Sequence, residues 1–344
     1  MTGNIISATK VEPAGQIQSS AASGVWSLQE QYDYKRGSNW PTTGLTPRGI
    51  ISNGLGSNTT IEFVNIASAG NSTDFGDLTV GRSGSDACAS TTRGVIGGGD
   101  GDAGMSNVMD YITISSTGNA TDFGNLSSPR KFLSGLSNAT RGIFAGGMDN
   151  TASSSDNYRS NVIEYITIAS TGNVNDFGDL SFAGAYRGST SSTTRGLFLG
   201  GEALTSDFKK DIIEYITIGS TGNVTDFGDL SAASHQGDAC SSNTRAVHHL
   251  ALTSSTLDTL EYVTIASTGD SADFGDLTNT NYNVAATSNR TTGIFCGGAV
   301  SGRQNVIDEI TIASTGDASD FGDLSYNAHQ VPCATSDQHG GLAA

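Results

Sequence analysis

Short runs of alternating apolar and polar residues recur along the chain and predict β-strands. One unit, centred on residues 136–181, shows the pattern in full. Four of its runs fit strands, LSGLSN, RGIFAGG, VIEYITIA and DFGDL, and the third has period-two alternation. Between the third and fourth runs, the segment STGN carries the Gly-Asn signal of a tight hairpin turn. The pattern therefore predicts a sheet of four short antiparallel strands in each unit.

The unit recurs along the chain, and this recurrence decides how its best-known tripeptide is interpreted. Asp-Phe-Gly begins at Asp74, Asp122, Asp176, Asp226, Asp273 and Asp320. Protein kinases hold a metal ion with this tripeptide, but a catalytic metal ligand is not needed six times at a steady interval. The chain also has no His-Arg-Asp catalytic loop. The tripeptide is therefore interpreted as a structural bend in a repeat protein.

Units of about 40–50 residues with four antiparallel strands are the sequence signature of a β-propeller. Residues 45–337 resemble the kelch repeat, in which paired glycines end the second strand, a tyrosine follows in the third and an aromatic residue opens the fourth. In the unit above these are Gly146-Gly147, Tyr165 and Phe177. The fourth-strand aromatic is Phe in all six units, where kelch domains usually have Trp. The first and fifth units depart from the glycine pair.

The two ends of the repeat indicate how the ring closes. The first unit begins with a second strand, TPRGIISNG, and the last DFGDL is followed by a segment that fits a first strand, SYNAHQVPCATSDQHGG. We expect this C-terminal strand to complete the N-terminal blade, which removes exposed sheet edges. The predicted fold is all-β, a six-bladed kelch-like β-propeller over residues 45–344, preceded by an extended N-terminal arm, residues 1–44.

Two charged positions also repeat. The pattern places an arginine at the start of each second strand and an acid in each third strand. The arginines are Arg48, Arg93, Arg141, Arg195, Arg245 and Arg290, and the acids are Glu62, Asp110, Glu164, Glu214, Glu261 and Asp308. Because buried charge must be paired, we expect a ring of ion pairs between them, or arginines bound to the Asp of FGDL. An arginine ring that binds an anion at the axis is the alternative.

Composition narrows the function classes. The formal net charge of −17 disfavours nucleic acid as a partner. No apolar run reaches the ~18 residues that cross a bilayer, so we expect no membrane insertion. The first residues lack the layout of a secretory signal, which favours synthesis in the cytoplasm. The four cysteines form no C-x-x-C pair of the kind that binds zinc. The segment GGGDGDAG is expected to be an ordinary loop, and the one histidine pair, His248-His249, is expected to lie in a strand. We therefore expect no metal site and no cofactor.

Enzymes built on related propellers are also disfavoured. Galactose-oxidase-like propellers bind copper through Tyr and His, and this chain has only five histidines with no such set predictable. Sialidases carry S-x-D-x-G-x-T-W boxes, which the chain lacks. We therefore expect no catalytic residues and no enzyme activity.

The connections of the propeller divide into a constant and a variable set. Those between the first and second strands, and between the third and fourth, share one face and hardly vary, whereas those on the opposite face differ in length and content. Variable loops on a rigid scaffold are where recognition usually occurs. The candidate binding residues on these loops are Lys131, Phe132, Asn157, Tyr158, Arg159, Tyr186, Arg187, Phe208, His235 and Tyr282.

The N-terminal arm, residues 1–44, gives the remaining indication of function. Residues 1–44 carry no repeat but hold both tryptophans, and Trp26, Tyr32, Tyr34 and Trp40 are candidate anchors. The string GVWSLQEQYDYKRGSNWP, residues 24–41, resembles one near the start of tail and other virion proteins of marine bacteriophages, often ahead of repeats of the IASTGNATDFGDL kind. The resemblance implies a phage structural protein in the virion.

The resulting hypothesis is a tail-fibre, tail-tip or baseplate protein. Its arm would bind other virion proteins, and its variable face would bind a host cell-surface glycan or protein, or a neighbouring subunit. We expect a homo-oligomer or several copies in each particle. A capsid decoration protein and a kelch-type binding scaffold outside a virion are the alternatives.

Overall fold

The computed structural model describes residues 46–52, 58–149, 151, 158–203, 208–325 and 332–342. Over these residues the chain is all-β, and no helix occurs among them. Six sheets of four antiparallel strands follow one another around a ring, and the first strand of each sheet lies beside the first strands of its two neighbours. The prediction of a six-bladed β-propeller is confirmed. The predicted arm lies outside the described residues.

Blades are numbered here by the order of their second strands along the chain, and the strands of a blade are counted outward from the axis. The first strands of blades 1 to 6 are Cys333–Ser336, Asp86–Ala89, Ser134–Ser137, Gly188–Ser191, Ala239–Ser241 and Ala285–Ser288. The second strands are Arg48–Ser52, Arg93–Gly97, Arg141–Ala145, Arg195–Leu199, Arg245–His249 and Thr292–Cys296. The third strands are Thr60–Asn65, Val108–Thr113, Val162–Thr167, Lys210–Thr217, Thr259–Thr264 and Val306–Thr311. The fourth strands are Thr73–Asp77, Thr121–Asn125, Asn175–Asp179, Thr225–Ser234, Ala272–Asp276 and Ser319–Asp323. Two small ribbons pair Asp100–Gly101 with Gly104–Met105 and Arg130–Lys131 with Met148–Asp149.

Apolar side chains between neighbouring blades form the core. Six clusters of buried residues each combine two adjacent blades, and every fourth-strand Phe lies in one of them. Phe123, for example, shares a cluster with Ile166 and Ile168 of the next blade, while the edge of the Tyr111 ring meets it with centroids 6.2 Å apart. Burial of these rings removes apolar area from water at every contact between blades. The Asp-Phe-Gly repeat is therefore structural.

The third strands alternate less strictly than the sequence suggests, because each carries a β-bulge against the fourth strand. In blade 3 the register shifts between Ile163 and Glu164, and both residues are buried. A bulge changes which face successive side chains point to. Ile163 enters the core between blades, and Glu164 meets the chain arriving from blade 2.

The repeated acids of the third strands bind the segment that connects the preceding blade to their own. Asp110 accepts hydrogen bonds from Thr79 Oγ1 at 2.6 Å and from Arg82 at 2.8 Å. Glu164 pairs with Arg130 in the same way, and Glu214 pairs with Arg187 at 2.9 Å. The other three acids accept hydrogen bonds from the hydroxyl groups that follow DFGDL in the preceding blade: Ser325 to Glu62, Ser231 to Glu261 and Thr278 to Asp308. The predicted ion pairs with the second-strand arginines are therefore wrong.

The second-strand arginines instead join one blade to the next. Arg93 donates from Nη1 to the carbonyl oxygen of Ile168 at 3.0 Å, and its guanidinium lies 4.4 Å from the Tyr111 ring centroid. The same two contacts recur at Arg48, Arg141, Arg195 and Arg245. These guanidinium groups sit over outer-strand rings, so they form no anion site at the axis. In blade 6 the second strand opens at Thr292, so the prediction that Arg290 opens it is wrong.

The STGN segment does not make a tight hairpin. The third strand of blade 3 ends at Thr167, and the fourth begins only at Asn175. The intervening loop docks on the fourth strand of blade 2, where Gly172 N–H donates to Phe123 O at 2.7 Å. A Cβ on Gly124 would lie 2.3 Å from Gly172 O, so the glycine of Asp-Phe-Gly is needed for this close approach. The contact recurs around the ring, including from blade 1 to blade 6.

The C-terminal strand closes the ring, as predicted. Cys333–Ser336 pairs with Arg48–Ser52 and supplies the first strand of blade 1. Ala334 joins Ile51 in the apolar cluster with Phe321 of blade 6. The two ends of the repeat therefore share one sheet, and both the sheet and the core continue across the junction.

Candidate functional site

The connections between second and third strands, and those between blades, lie on one face, which we call the variable face. The mouth is the end of the axial channel on this face, bordered by the residues just before each first strand. Nine of the ten predicted binding residues are described, and Asn157 is not. The predicted anchors Trp26, Tyr32, Tyr34 and Trp40 also lie outside the described residues.

A ring of residues in the left-handed backbone conformation borders the mouth. It consists of Gly84, Phe132, Tyr186, Gln236 and Asn283, with φ between 54° and 66°. The N–H of each residue after Gly84 donates to the carbonyl oxygen of the residue before it in the ring, at 2.7 to 3.1 Å. This conformation is uncommon for bulky residues and costs them about 1–3 kcal/mol. Blade 2 has glycine at this position, so the left-handed backbone conformation does not itself require the rings of Phe132 and Tyr186.

Four of the predicted residues form an aromatic cluster on this face: Phe132, Tyr186, Phe208 and His235. Phe132 and Tyr186 stack, with ring centroids 4.1 Å apart and planes inclined by 20°. His235 meets the edges of Tyr186 and Phe208 at centroid distances of 6.2 and 5.5 Å. Phe208 remains 39% exposed. The cluster presents flat apolar surface to whatever meets the variable face.

Buried charges support the aromatic cluster. Glu202 pairs with Arg159, and its other carboxylate oxygen lies 3.1 Å from His235 Nδ1. All three side chains are almost fully buried. Burial, and then the Glu202 charge, raise the pKa of Tyr186, so its hydroxyl is protonated at neutral pH. Arg159 and His235 are therefore buried supports of the cluster. The rings of Phe132, Tyr186 and Phe208 form its more exposed surface.

The remaining predicted residues are more dispersed. Lys131 binds Asp100 at 2.6 Å, and its amine lies 5.3 Å from the Phe132 ring centroid. Arg187 is buried against Glu214, and burial lowers its pKa to about 10 although Glu214 opposes that shift. Tyr158 is 49% exposed, with φ 62°. Tyr282 lies in blade 6 and pairs with Ala299. The sequence pattern placed these residues on one face, but it did not show which of them are exposed for contact with a partner and which are buried to support the loops.

Sequence reasoning missed the hydroxyl groups that line the axis. Five of the six first strands end in serine, and each serine Oγ donates to the last carbonyl oxygen of the preceding first strand. They are Ser137, Ser191, Ser241, Ser288 and Ser336. Blade 2 has Ala89 instead, and His339 Nε2 lies 3.0 Å from Ala89 O. The recurrence of serine at one position of the repeat is the sequence signal that could have indicated this ring of hydroxyl groups.

The C-terminal segment covers the end of the channel opposite the mouth. His339 contacts Ser137 Oγ at 3.2 Å, and a Cβ on Gly341 would lie 1.9 Å from Ser137 O. Leu342 is fully buried. Among the described residues, the open approach to the axis is therefore from the variable face.

The mouth holds a cavity of about 50 Å³, which is room for a few water molecules or a small ion rather than a sugar ring. Its lining includes Asp86, Asp238, Gln236 and Asn283. Burial, together with the Asp238 charge, raises the pKa of Asp86 well above its usual value, and burial raises that of Asp238 to about 6. The two acids precede the cysteines of DACAST and GDACSS, and sequence reasoning did not single them out.

Other candidate chemistry has structural roles. His248 and His249 lie in the second strand of blade 5, as predicted, and burial lowers their pKa values to about 3 and about 4. His249 Nε2 contacts Leu257 O at 3.1 Å. The described residues contain no group of three or more His, Cys, Asp or Glu side chains arranged for a metal ion. Among them no helix is long and apolar enough to cross a membrane.

Comparison with protein-family models finds none that matches the chain, and comparison with curated proteins finds no matching relative. The classification that the geometry supports is therefore the fold itself, a six-bladed β-propeller.

Proposed function

We propose that this chain is a non-enzymatic structural protein of a bacteriophage virion, of the tail-fibre, tail-tip or baseplate type. Residues 1–44 attach it to the particle through other virion proteins. The variable face binds a host cell-surface glycan or protein, or a neighbouring subunit. The phage assignment rests on the resemblance of residues 24–41 and of the repeat to virion proteins.

One structural observation supports the binding role, namely the aromatic cluster at the mouth. Phe132 and Tyr186 occupy left-handed positions at an energetic cost, and strain of this kind tends to be retained where function uses it. Stacked rings beside the exposed Phe208 suit sugar rings or apolar side chains of a partner. The mouth cavity is too small for a substrate of that size, which favours surface recognition over catalysis.

The binding role is tested with substitutions of exposed rings. In the full chain, Tyr158→Ser and Phe208→Ser together should reduce binding to host cells or to a glycan array by at least about tenfold, because a few aromatic anchors usually dominate such contacts. Val300→Ser is the matched control, since Val300 is 38% exposed on the same face but in blade 6. Equal binding by the wild type, the double variant and the control would argue against the exposed rings of the variable face, Phe208 of the aromatic cluster and Tyr158 of the preceding blade, as the contact surface.

The attachment role is tested by deleting residues 1–44. We expect the truncated chain to fold but to be missing from purified particles, as measured by quantitative mass spectrometry. Normal occupancy of the truncated chain would refute attachment through the arm. Electron microscopy of labelled particles separates a tail from a capsid position. Absence of the full chain from particles would favour the kelch-type scaffold outside a virion.

A further inference from the structure

The mouth cavity brings together oxygen ligands from opposite sides of the ring. Asp86 opens the first strand of blade 2, and Asp238 precedes that of blade 5, three blades away. Both line the same cavity, and the Asp238 charge acts on Asp86. Two carboxylates therefore face the axis from opposite blades at the end that the C-terminal segment leaves open.

Backbone amides hold both carboxylates in matching positions. Asp86 accepts hydrogen bonds from the N–H groups of Ala87 and of Gly135 in blade 3, each at 2.7 Å. Asp238 accepts them from Ala239 and from Ala286 in blade 6, each at 2.8 Å, with a longer contact of 3.4 Å from Ser189. Each carboxylate thus bridges its own blade to the next. Amide hydrogen bonds fix the oxygens but leave lone pairs for a further ligand.

Among the described residues, no positive side chain pairs with either of these acids. Arg187 also borders the cavity, but its guanidinium binds Glu214 and the carbonyl oxygen of Phe182. Arg82 is committed to Asp110. Two partly buried carboxylates that line one cavity are costly without a cation, because desolvation and mutual repulsion both disfavour the charged forms.

Two amide side chains provide an independent sign of a missing ligand. Asn283 is only 7% exposed, it lines the same cavity, and its Oδ1 has no hydrogen-bond partner. Gln236 Oε1, also in the lining, lacks a partner as well. Buried polar oxygens are rarely left unsatisfied in native structures. Both residues belong to the left-handed ring, which brings them to the mouth.

We propose that the mouth of the axial channel binds a hard divalent cation, Ca²⁺ by preference, through Asp86, Asp238, Gln236 and Asn283. Oxygen donors alone are what Ca²⁺ and Mg²⁺ prefer, and an irregular set of carboxylates and amides completed by water suits Ca²⁺ better. The cavity has room for the ion and bound water. The ion would clamp blades 2, 5 and 6 beside the aromatic cluster. This proposal does not depend on the phage assignment.

The test uses the full chain after chelator treatment and dialysis. Millimolar CaCl₂ should raise the Tm of the wild type by at least about 2 °C, since a ligand that binds only the folded state stabilises it. The shift should exceed that from MgCl₂, and NaCl of equal ionic strength should not reproduce it. The double variant Asp86→Asn, Asp238→Asn should lose the Ca²⁺ shift. Each substitution places an amide nitrogen opposite one of the backbone N–H donors, so folding of the variant is checked separately. Its far-UV circular dichroism and size-exclusion profile should match those of the ion-free wild type.

Two further variants sharpen the result. Asp102→Asn removes an exposed acid elsewhere and should keep the full response. Asn283→Leu should weaken Ca²⁺ binding, measured by calorimetry, by at least about tenfold. No Ca²⁺ shift in the wild type, or an equal shift in the double variant, would overturn the site. Undiminished binding by Asn283→Leu would overturn the ligand set.

Discussion

Arginine has two roles in this protein, and its surroundings determine which one. Each second-strand arginine in blades 1 to 5 lies over an aromatic ring and donates to a carbonyl oxygen of the next blade. Arg82, Arg130 and Arg187, in the connections between blades, are buried and paired with acids of the third strands. A half-exposed guanidinium can rely on water, whereas a buried one needs a carboxylate. The two sets should therefore respond differently to loss of charge.

Replacing Arg187 by methionine should be strongly destabilising. Glu214 would be left buried without its partner, which costs about 3–5 kcal/mol in unfolding free energy measured by urea denaturation. The double variant Arg187→Met, Glu214→Leu should recover much of that loss. Arg195→Met is the control, because Arg195 donates to a carbonyl oxygen instead, and we expect it to lose about 1 kcal/mol. Equal losses from the two single variants would show that the buried pair has no special role.

Local sequence patterns predicted the repeated residues well but not their partners. The Phe of Asp-Phe-Gly could be assigned to the core because its position relative to the strands recurs. The acids and the second-strand arginines of blades 1 to 5 recur just as regularly, yet their hydrogen-bond partners lie on segments from neighbouring blades. Phe132 and Tyr186 carry no signal for a left-handed backbone, since that position usually favours glycine. Asp86 and Asp238 line one cavity only because the ring places blades 2 and 5 opposite each other.

At the scale of the elements, the loop between third and fourth strands is the main difference from expectation. A Gly-Asn pair between two strands is typical of a two-residue hairpin turn. Here the loop is longer, and its glycine and asparagine bind the fourth strand of the preceding blade: Asn223 Oδ1, for instance, accepts a hydrogen bond from Asp179 N at 3.0 Å. The partner is about one repeat away in sequence. The sequence pattern of a single unit cannot predict such a contact, because the partner lies in another unit.

Gly178→Ala should disrupt one of these docked loops. The added Cβ would lie 2.4 Å from Gly222 O, which cannot move without displacing the loop. We expect a loss of about 1–3 kcal/mol and faster hydrogen exchange at the Gly222 amide, which now donates to Phe177 O at 2.7 Å.

Gly219→Ala is the matched control, since nothing lies within 4 Å of the Cβ position at Gly219 in the same loop. Its stability should change by no more than about 0.5 kcal/mol. If both alanines had the same effect, the close approach would not explain the glycine of Asp-Phe-Gly.

At the scale of the whole molecule, contacts at three distances from the axis close the ring between blades 6 and 1. Near the axis, Ser336 Oγ donates to Ser288 O of blade 6. Further out, Ile51 and Val64 share an apolar cluster with Phe321. At the rim, Gly70 N–H donates to Phe321 O at 2.8 Å. The apolar and rim contacts also join every pair of blades that is continuous in sequence, and the serine contact joins all of these pairs except blades 1 and 2, where Ala89 replaces the serine. Blades 6 and 1 therefore meet as other neighbours do. This equivalence explains why the number of blades and the closing strand could be predicted from the repeat.

Removing residues 332–344 should therefore open the ring. Blade 1 would lose its first strand and expose the edge of Arg48–Ser52, which is a template for pairing with another chain. We expect a lower denaturation midpoint and a shift to larger species in size-exclusion chromatography with light scattering. A synthetic peptide of residues 332–344 should restore the midpoint, whereas a scrambled peptide of the same composition should not, because rescue requires the register that pairs Gly49 with Ser336 and Ser52 with Cys333. A truncated chain with the midpoint and size of the full protein would mean that blade 1 is stable without the closing strand.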